Sequence, residues 1–520
     1  MKHINNEVIY QIYPLTFNYA SGSKSDPYKG AYGNLKGITA YADYVASLGV
    51  DAIWITPFYP WGGTGFGYDI TDYTAIDPMY GTPEDFAELC QIYHTHNIRV
   101  IIDQVYNHCS EKHPWFLKSI AREQIYEDFF VWADAKGYDE NGTPLPPNNW
   151  TAIWNSEGPS AWSWHNERKQ FYLHSFDRTM PNLNLNNPIV RAELLKVAKF
   201  WFDLGADGFR LDAATHYACD SFLRDNPLDE NGGQIRMYDI NSENGCIFIN
   251  SLKELGLQYT PAKTLLAEYW YSKTPAGIEK AREIGKTTLC DAFFTGALNG
   301  KVKDFVSSVS DDLNVYMFGE KLNWAFSNHD LERAATRIFG RSYTPQKLRM
   351  LMSLLTTLPG SICIFQGEEL GLPNPMEFSA CKKPENDPLN IWTPFNTPWD
   401  AGRAGFAMSD APTDPTRAMA LQPDAEQYTL SVEKQNEKDS MLATTRNLLV
   451  ARKNGIFNHY GELHFLPTEN EDIIAFIRTV KDSSAQMLCI YNFSNIDTII
   501  GYNDKTYFVT AEDMLHRHIR

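Results

Sequence analysis

The sequence predicts an α/β protein: a closed (β/α)8 TIM barrel, with a loop-rich domain inserted after the third strand and an antiparallel β-sandwich at the carboxyl end. Two observations lead to the barrel. Near-continuous apolar runs alternate with helical stretches, and eight such units can be counted along the chain. Apolar strands joined by helical crossovers are typical of parallel sheets that are covered on both faces. Eight parallel units favour a closed barrel over an open sheet.

Local signals place the strands and helices of these units. Apolar runs mark the strands, and a capping residue followed by helical spacing marks the helices. The predicted helices run from a cap at Asn34 to Leu48, from a cap at Thr82 to about His96, over Pro188–Leu204 and over Glu437–Lys453. The predicted strands are Val8–Phe17, Val50–Pro57, Arg99–Val105, one within Ala206–His216, Thr264–Trp270, Leu289–Thr295, Leu322–Asn328 and Ser361–Gln366.

Changes in composition and in the spacing of apolar residues divide the chain into three predicted domains. The barrel takes residues 1–108 and 179–455, and the inserted B domain takes residues 109–178. The insertion is rich in Trp, Asn, Pro and Gly, as in DENGTPLPPNNW. From about Ile456, short alternating runs such as DIIAFIRTV and QMLCIYNF predict a small antiparallel domain over residues 456–520.

The composition excludes several classes of partner. The net charge of −18 argues against a nucleic acid or an anionic membrane surface. The eight cysteines are scattered, without a CxxC pair or zinc spacing, which predicts reduced thiols and no metal site. No segment reads as a leader or a membrane span, so we expect a cytoplasmic location. We also expect a monomer or homodimer. Export without a leader stays open.

Polar residues collect at the predicted carboxyl ends of the strands, where a barrel places its active site. Alone, a histidine is more often a hydrogen-bonded core residue, and an aspartate more often a cap. Several such ends opening onto one mouth favour an active site over a structural accident. These residues are Tyr68, Asp69 and Asp72 after the second strand, Asp103, Asn107 and His108 after the third, Arg210 and Asp212 at the fourth, Glu268 at the fifth, and His329 and Asp330 at the seventh.

Two of these carboxylates fit the chemistry of glycoside hydrolysis. Arg210 and Asp212 are two apart, so on a strand they point to the same side. The arginine is expected to lower the pKa of Asp212 and keep it ionised as a nucleophile, although a structural ion pair is the alternative. Glu268 follows the apolar run LLA, where desolvation would raise its pKa, as an acid/base requires. Asp330 and the two histidines can bind sugar hydroxyls.

The strand-end motifs together resemble those of glycoside hydrolase family 13, the α-amylase superfamily. The motifs are DQVYNH at 103–108, GFRLDAATH at 208–216, AEYW at 267–270 and FSNHD at 326–330. Three further stretches resemble the α-glucosidase and oligo-1,6-glucosidase branch rather than the endo-acting amylases. They are KHPWF at 112–116, MPNLNLNNP at 180–188 and QGEELGLP at 366–373.

The resemblance implies a double displacement that retains the α-anomeric configuration. It implies that Asp212 is the nucleophile, Glu268 the acid/base and Asp330 the transition-state stabiliser. It also implies that the insertion is the family's B domain and that the tail is its carboxyl-terminal β-sandwich. The residues that it implies for binding the glucosyl unit are Asp69, His108, Arg210 and His329, with Tyr68 stacked beneath the ring.

Four departures from the family pattern refine these expectations. The loop SGSKSDPYKGAYGNLKGI lacks the alternating acids of the family's calcium loop, so we expect no calcium and no other cofactor. Ala213 stands where relatives that cut α-1,6 bonds usually carry valine, which favours α-1,4 or sucrose-type α-1,2 bonds. The arginine that relatives place after the eighth strand is absent from WTPFNTPWDAGRAGF, and Arg403 is its candidate replacement. Asn182 stands where an acid often orients a loop.

Three functions remain to be compared. The leading one is an exo-acting α-glucosidase that hydrolyses short oligosaccharides. A transglycosylase or a sucrose isomerase would use the same intermediate, and the choice depends on how loops exclude water. A binding or scaffold protein with a dead barrel, like transporter-associated relatives, is disfavoured because Asp212, Glu268 and Asp330 are all present and no membrane span is seen.

Overall fold

The structure is a computed structural model, and its centre is a closed barrel of eight parallel strands. It describes residues 6–18, 20, 33–64, 67–153, 158–291, 302–315, 322–330, 333–340, 342–373, 430, 432, 434–459 and 461–519. The strands follow one another around the barrel in the order β1, β2, β3, β9, β10, β11, β12 and β13. Their bounds are β1 Val8–Ile12, β2 Ala52–Ile55, β3 Arg99–Gln104, β9 Gly208–Leu211, β10 Thr264–Ala267, β11 Leu289–Asp291, β12 Leu322–Ala325 and β13 Ser361–Phe365. The predicted barrel is confirmed.

The inside of the barrel holds its own apolar layer beneath the polar strand ends. Side chains alternate across a strand, so every second residue points into the barrel. One buried cluster takes one side chain from each of six strands and two from β2: Ile9, Ala52, Trp54, Ile101, Leu266, Leu289, Ala325 and Cys363. The inward positions next along the strands, toward their carboxyl ends, carry the polar residues of the site.

The helices cover the outside of the barrel. Four of the described helices are capped by a threonine or serine side chain, and Thr82 with Asp85 forms a complete capping box. The helix predicted over Pro188–Leu204 has those bounds. The helices are α1 Pro14–Phe17, α2 Leu35–Ala40, α3 Ala42–Leu48, α4 Pro83–Thr95, α5 Pro114–Ile120, α6 Pro188–Leu204, α7 Glu243–Gly256, α8 Pro275–Gly285, α9 Val302–Val315, α10 Ala334–Phe339, α11 Pro345–Thr357 and α12 Met441–Asn454.

Several predicted strands are shorter in the structure, and the differences are largest in three predicted elements. The strand predicted over Val8–Phe17 ends at Ile12, because Pro14 begins a one-turn helix. The helix predicted from Asn34 to Leu48 is broken at Tyr41, whose φ of −107° and ψ of 18° leave the helical region. Asn34 is nonetheless the cap, accepting a hydrogen bond from the amide of Gly37 at 2.7 Å. The last helix begins at Met441 rather than at Glu437, because Ser440 caps it.

The segment between β3 and α6 forms small sheets of its own. A three-stranded antiparallel sheet joins β4 Trp132–Ala133, β8 Gln170–Leu173 and β7 Trp162–His165, beside a short pair of β5 Gly137–Tyr138 and β6 Pro144–Leu145. Asn182 ties this segment back to the barrel, because it pairs with His108 and its amide bonds Ser175. The neutral amide therefore holds the loop at the position where relatives often carry an acid.

The carboxyl-terminal strands form a four-stranded sheet and a hairpin with an apolar layer between them. The layer includes Ile477, Leu488, Ile500 and Tyr507, and the opposite face of the sheet joins the core of the barrel. This arrangement confirms the predicted antiparallel β-sandwich. The sheet has the order β14 Leu463–Phe465, β15 Ile473–Thr479, β16 Gln486–Asn492 and β19 Asp513–Ile519, and the hairpin joins β17 Thr498–Tyr502 to β18 Lys505–Val509.

Two further expectations meet the structure here. The six cysteine side chains that the structure describes are all buried free thiols, as the scattered spacing predicted. No helix within the described ranges has both the length and the apolarity needed to cross a membrane.

Candidate active site

The guanidinium of Arg210 joins three carboxylates at the mouth of the barrel. Its Nη1 lies 3.0 Å from Oδ1 of Asp103 and 2.5 Å from Oδ1 of Asp212, and its Nη2 lies 2.9 Å from Oε2 of Glu268. Each of these four residues stands at the end of β3, β9 or β10, whose ends are adjacent in the barrel. The structure therefore brings together the predicted nucleophile, the predicted acid/base and the arginine.

Arg210 lowers the pKa of Asp212 as expected, but the net shift of that pKa is upward, so the arginine does not decide its direction. Burial raises the pKa of Asp212, the negative charges of Glu268 and Asp103 raise it further, and Arg210 only opposes this rise. Burial likewise raises the pKa of Glu268, with Arg210 lowering it. Three buried carboxylates thus share one permanent positive charge, and such a cluster favours keeping a proton on one of them.

Asp103 accepts hydrogen bonds on both of its oxygens. Besides Arg210 on Oδ1, the indole of Trp54 donates to Oδ2 at 3.1 Å and the hydroxyl of Tyr68 donates to Oδ2 at 3.0 Å. Burial raises the pKa of Asp103, but Arg210 and Tyr68 oppose that rise. With three donors, Asp103 is favoured to stay ionised more than Asp212 or Glu268. Asp103 therefore anchors the side chain of Arg210, while the less fully bonded Asp212 and Glu268 face the mouth.

His329 links Tyr68 to the barrel interior. Its Nε2 lies 2.6 Å from the hydroxyl of Tyr68, its Nδ1 lies 2.8 Å from Nε2 of Gln11, and the rings of His329 and Tyr68 stack at 5.3 Å. Burial and the charge of Arg210 lower the pKa of His329 to about 3, so the ring is neutral. The carboxylate of Asp330 lies 3.4 Å from the same Nε2 and is 41% exposed, at the opening of the site.

Asp69 and His108 line a second part of the site. Asp69 is fully buried, and its Oδ2 accepts a hydrogen bond from the amide of Thr64 at 3.0 Å. A side chain at Gly62 would meet this carboxylate at 2.6 Å, so the close approach requires glycine. Nε2 of His108 is buried and makes no hydrogen bond of normal geometry among the described residues. Burial lowers the pKa of this ring to about 3, and the backbone of Tyr68 opposes that shift.

Sequence reasoning did not single out His216, although it lies within the GFRLDAATH motif. Its ring contacts Phe176 and Trp270, each with ring centroids 5.5 Å away. Both ring nitrogens are buried and make no hydrogen bond of normal geometry in the part of the chain that the structure describes, and the backbone of Asp239 is the polar group that approaches the ring. Burial lowers the pKa of His216 to about 3. The available signal was its place on the one-turn helix 214–216, directly after the strand end.

Gln11 is the second residue that sequence reasoning missed. It lies on β1 and is fully buried, two positions after Ile9, which points into the barrel. A polar residue inside an otherwise apolar strand was the available signal, but its partner His329 is distant in sequence.

Ala213 connects the two proposed catalytic carboxylates through the backbone. Its amide donates to Oε2 of Glu268 at 2.7 Å, directly after Asp212 in the chain. Its φ of 47° and ψ of 34° are left-handed, an uncommon backbone conformation for a residue with a side chain. The turn aims Asp212 into the mouth while it holds Glu268 in place.

Two expectations cannot be placed on this site. Arg403, the candidate replacement for the family arginine, lies outside the described residues, as do residues 21–32 of the loop in which we expect no calcium. That expectation stays a prediction. Within the described ranges, no group of three or more His, Cys, Asp or Glu side chains is arranged to hold a metal ion.

Comparisons with known proteins identify the family of the chain. Residues 11–460 match the family model described as alpha amylase, catalytic domain. The chain is 34% identical to a probable alpha-glucosidase of Rhizobium meliloti (strain 1021), over 94% of this chain and 89% of the relative. It is 30% identical to Maltase A2 of Drosophila melanogaster, over 96% of this chain and 88% of the relative.

A solved structure matches over nearly its whole length. The crystal structure of the alpha-glucosyl transfer enzyme XgtA superposes with a TM-score of 0.84 at 30% identity, covering 99% of both chains. The match to the family model, which spans most of the chain, confirms the resemblance seen in the motifs. The chain therefore belongs to the α-amylase family, glycoside hydrolase family 13, and is a glycoside hydrolase of its α-glucosidase branch.

Proposed function

We propose that this enzyme is a retaining, exo-acting α-glucosidase, which releases the glucosyl unit at the non-reducing end of short oligosaccharides. The observation that carries the proposal is the bridge formed by Arg210 between Asp212 and Glu268. Carboxylates held by two nitrogens of one guanidinium are close neighbours. This supports a separation of about 5 Å, as retaining glycosidases use, rather than the wider spacing that leaves room for a water molecule.

The proposed mechanism has two displacements at the same carbon. The carboxylate of Asp212 attacks the anomeric carbon, while the carboxyl group of Glu268 gives its proton to the departing glycosidic oxygen. Glu268 then takes a proton from water, whose oxygen displaces Asp212 and restores the α configuration. Asp330 stabilises the positive charge of the transition state. Asp69, His108, Arg210 and His329 bind the glucosyl unit, which stacks on Tyr68.

The proposed linkage preference depends on Ala213. Ala213 is 3% exposed and lies beside both carboxylates, and its small side chain favours α-1,4 or α-1,2 bonds over α-1,6 bonds. Names of relatives such as Maltase A2 support action on α-1,4 disaccharides. The six buried free thiols are in keeping with a cytoplasmic location.

Glucosyl transfer is the second candidate, because the structure of an alpha-glucosyl transfer enzyme matches 99% of this chain. A sugar hydroxyl would then replace water in the second displacement. Maltose, isomaltose, sucrose, trehalose and maltotriose, each incubated with the enzyme, test both candidates when free glucose and new saccharides are measured. We expect two glucose molecules per maltose cleaved. If the main products are new disaccharides or trisaccharides, the enzyme catalyses glucosyl transfer or isomerisation and not hydrolysis.

A further inference from the structure

A chain of hydrogen bonds links Asp103, Tyr68 and His329, and the donors to Asp103 determine which atom donates at each step. Arg210 and the indole of Trp54 only donate, so both oxygens of Asp103 act as acceptors. The Tyr68 hydroxyl must then donate to Oδ2 of Asp103. Its oxygen is left to accept, and the atom that faces it at 2.6 Å is Nε2 of His329. Nε2 of His329 therefore carries the hydrogen.

The other end of the chain leads to the same assignment. A neutral imidazole protonated at Nε2 presents a lone pair at Nδ1, which needs a donor. Gln11 meets that nitrogen with its own Nε2 at 2.8 Å. The opposite amide orientation would bury two N–H groups in place of the single carbonyl oxygen of Gln11, which now lacks a partner among the described residues. An unpaired buried carbonyl is less costly than unpaired N–H groups.

We propose that Gln11 is a positioning residue that fixes the tautomer of His329, so that this histidine presents Nε2–H to Tyr68 and to the substrate. The proposal rests on the proposed function only in taking His329 as a contact of the glucosyl unit. Nε2 lies 2.6 Å from the Tyr68 hydroxyl and 3.4 Å from Oδ2 of Asp330, so its single N–H would be shared between Tyr68 and a sugar hydroxyl that enters beside Asp330. The other tautomer would offer a lone pair at this place and could not donate to a sugar hydroxyl.

Gln11 is the described contact of His329 that can determine its tautomer through Nδ1. Tyr13 and Trp54 contact the ring at 6.5 and 5.9 Å between centroids, through faces and edges. The charged groups that act on it are Arg210, Asp103 and Asp330. Asp330 lies 3.4 Å from Nε2, and Asp103 is reached from Nε2 through the Tyr68 hydroxyl. Among the described residues that contact the ring, Gln11 alone has a hydrogen bond to Nδ1.

Two substitutions test the proposal against a matched control. Gln11→Met keeps the length of the side chain and removes the donor, and we expect kcat/KM on maltose to fall about tenfold at every pH. Gln11→Glu retains a donor only while its carboxyl group is protonated. We therefore expect the ratio of its kcat/KM to that of the wild type to be highest near pH 4 and to fall as the pH rises to 8.

Gln104→Met is the control, because Gln104 is also a fully buried glutamine on a barrel strand with an unpartnered carbonyl among the described residues. Its amide bonds Tyr59 and not the histidine. We expect kcat/KM within about twofold of the wild type. Equal losses in both Met variants, or a Gln11→Glu ratio that does not change with pH, would overturn the proposal.

A measurement on the unmodified enzyme keeps the test independent of folding. In protein labelled with 15N-histidine, the signal of His329 is identified by its loss in His329→Gln, and we expect it to show hydrogen on Nε2. Hydrogen on Nδ1 would overturn the proposal. A wild-type enzyme that cleaves no α-glucoside would instead refute the proposed function, and the tautomer assignment would be judged by the spectrum alone.

Discussion

The two halves of the active site differ in how far the protein satisfies its own polar atoms. On the Tyr68 side, a continuous chain of hydrogen bonds runs from Gln11 through His329 to Asp103 and Arg210. On the other side, His108 and His216 both contact Phe176, and within the described ranges three of their ring nitrogens make no hydrogen bond of normal geometry. Only weak backbone contacts approach these two rings.

This difference indicates that the protein alone fixes the geometry of the Tyr68 half. In the half around His108 and His216, a bound ligand would supply the missing hydrogen-bond partners. Unpaired buried nitrogens cost about 1–3 kcal/mol each, and a sugar hydroxyl can recover that cost when it binds. The bonded half needs no ligand to hold its geometry, so it is suited to orient the reacting carboxylates. The unpaired half is suited to recognise the substrate.

The largest expected effect belongs to the proposed nucleophile. Asp212→Asn removes the attacking oxygen while keeping an acceptor for Arg210, and we expect kcat on maltose to fall by about 10⁴-fold or more. Thermal unfolding should change little, because the shape of the side chain is kept. A variant with a normal melting temperature and near wild-type turnover would remove Asp212 from the mechanism.

Tyr68→Phe tests the bonded half. The substitution leaves Oδ2 of Asp103 and Nε2 of His329 without their shared hydroxyl, so we expect stability to fall by about 1–3 kcal/mol and kcat/KM to fall about 100-fold. Denaturant unfolding and maltose kinetics measure the two effects. The control is Tyr138→Phe, in which a hydroxyl is removed from a tyrosine that is 64% exposed. Unchanged stability in Tyr68→Phe would mean that the chain of hydrogen bonds is not a structural unit.

His216→Phe tests the unpaired half and should act in the opposite direction on stability. A phenyl ring needs no hydrogen bonds, so we expect stability to rise by about 1 kcal/mol while kcat/KM on maltose falls about tenfold. His518→Phe, at an exposed position, is the control. Loss of both stability and activity in His216→Phe would show that this half is as fully satisfied as the other.

The same variant predicts a pH dependence. The pKa of His216 is about 3 in the folded protein, against about 6.5 in an unfolded chain. Below pH 6.5 the unfolded state therefore binds a proton that the folded state does not, and His216 costs stability as the pH falls toward 3. The melting temperature of His216→Phe should thus exceed that of the wild type by more at pH 4 than at pH 7. An equal difference in melting temperature at pH 4 and pH 7 would contradict the low pKa of His216 in the folded protein.

The sequence predicted the parts of this site that depend on periodicity. Strand counting placed Asp103, Arg210, Asp212, Glu268 and His329 on one mouth, because parallel strands of a barrel end at one face. It could not predict the direction of the pKa shift at Asp212, since desolvation depends on the packing of distant segments. For the same reason it missed Gln11 and His216. Gln11 matters through a hydrogen bond to His329, which is 318 positions away in the sequence. His216 matters because its ring nitrogens make no hydrogen bond of normal geometry among the described residues.

Ala213 stands between the two halves, and its substitution should have the smallest effect. Valine there would narrow the space beside the leaving group, and we expect the ratio of isomaltose to maltose cleavage to rise a few-fold. The left-handed backbone at Ala213 adds a cost of about 1–2 kcal/mol, because β-branched side chains crowd that conformation. Ala218→Val is the matched control, since Ala218 is also buried and left-handed, with a φ of 59°. Both variants should lose stability, but only Ala213→Val should shift the linkage ratio. If the ratio of isomaltose to maltose cleavage changes equally in both variants, or in neither, Ala213 does not determine the linkage preference. The residues around His216 would then be the next candidates for that role.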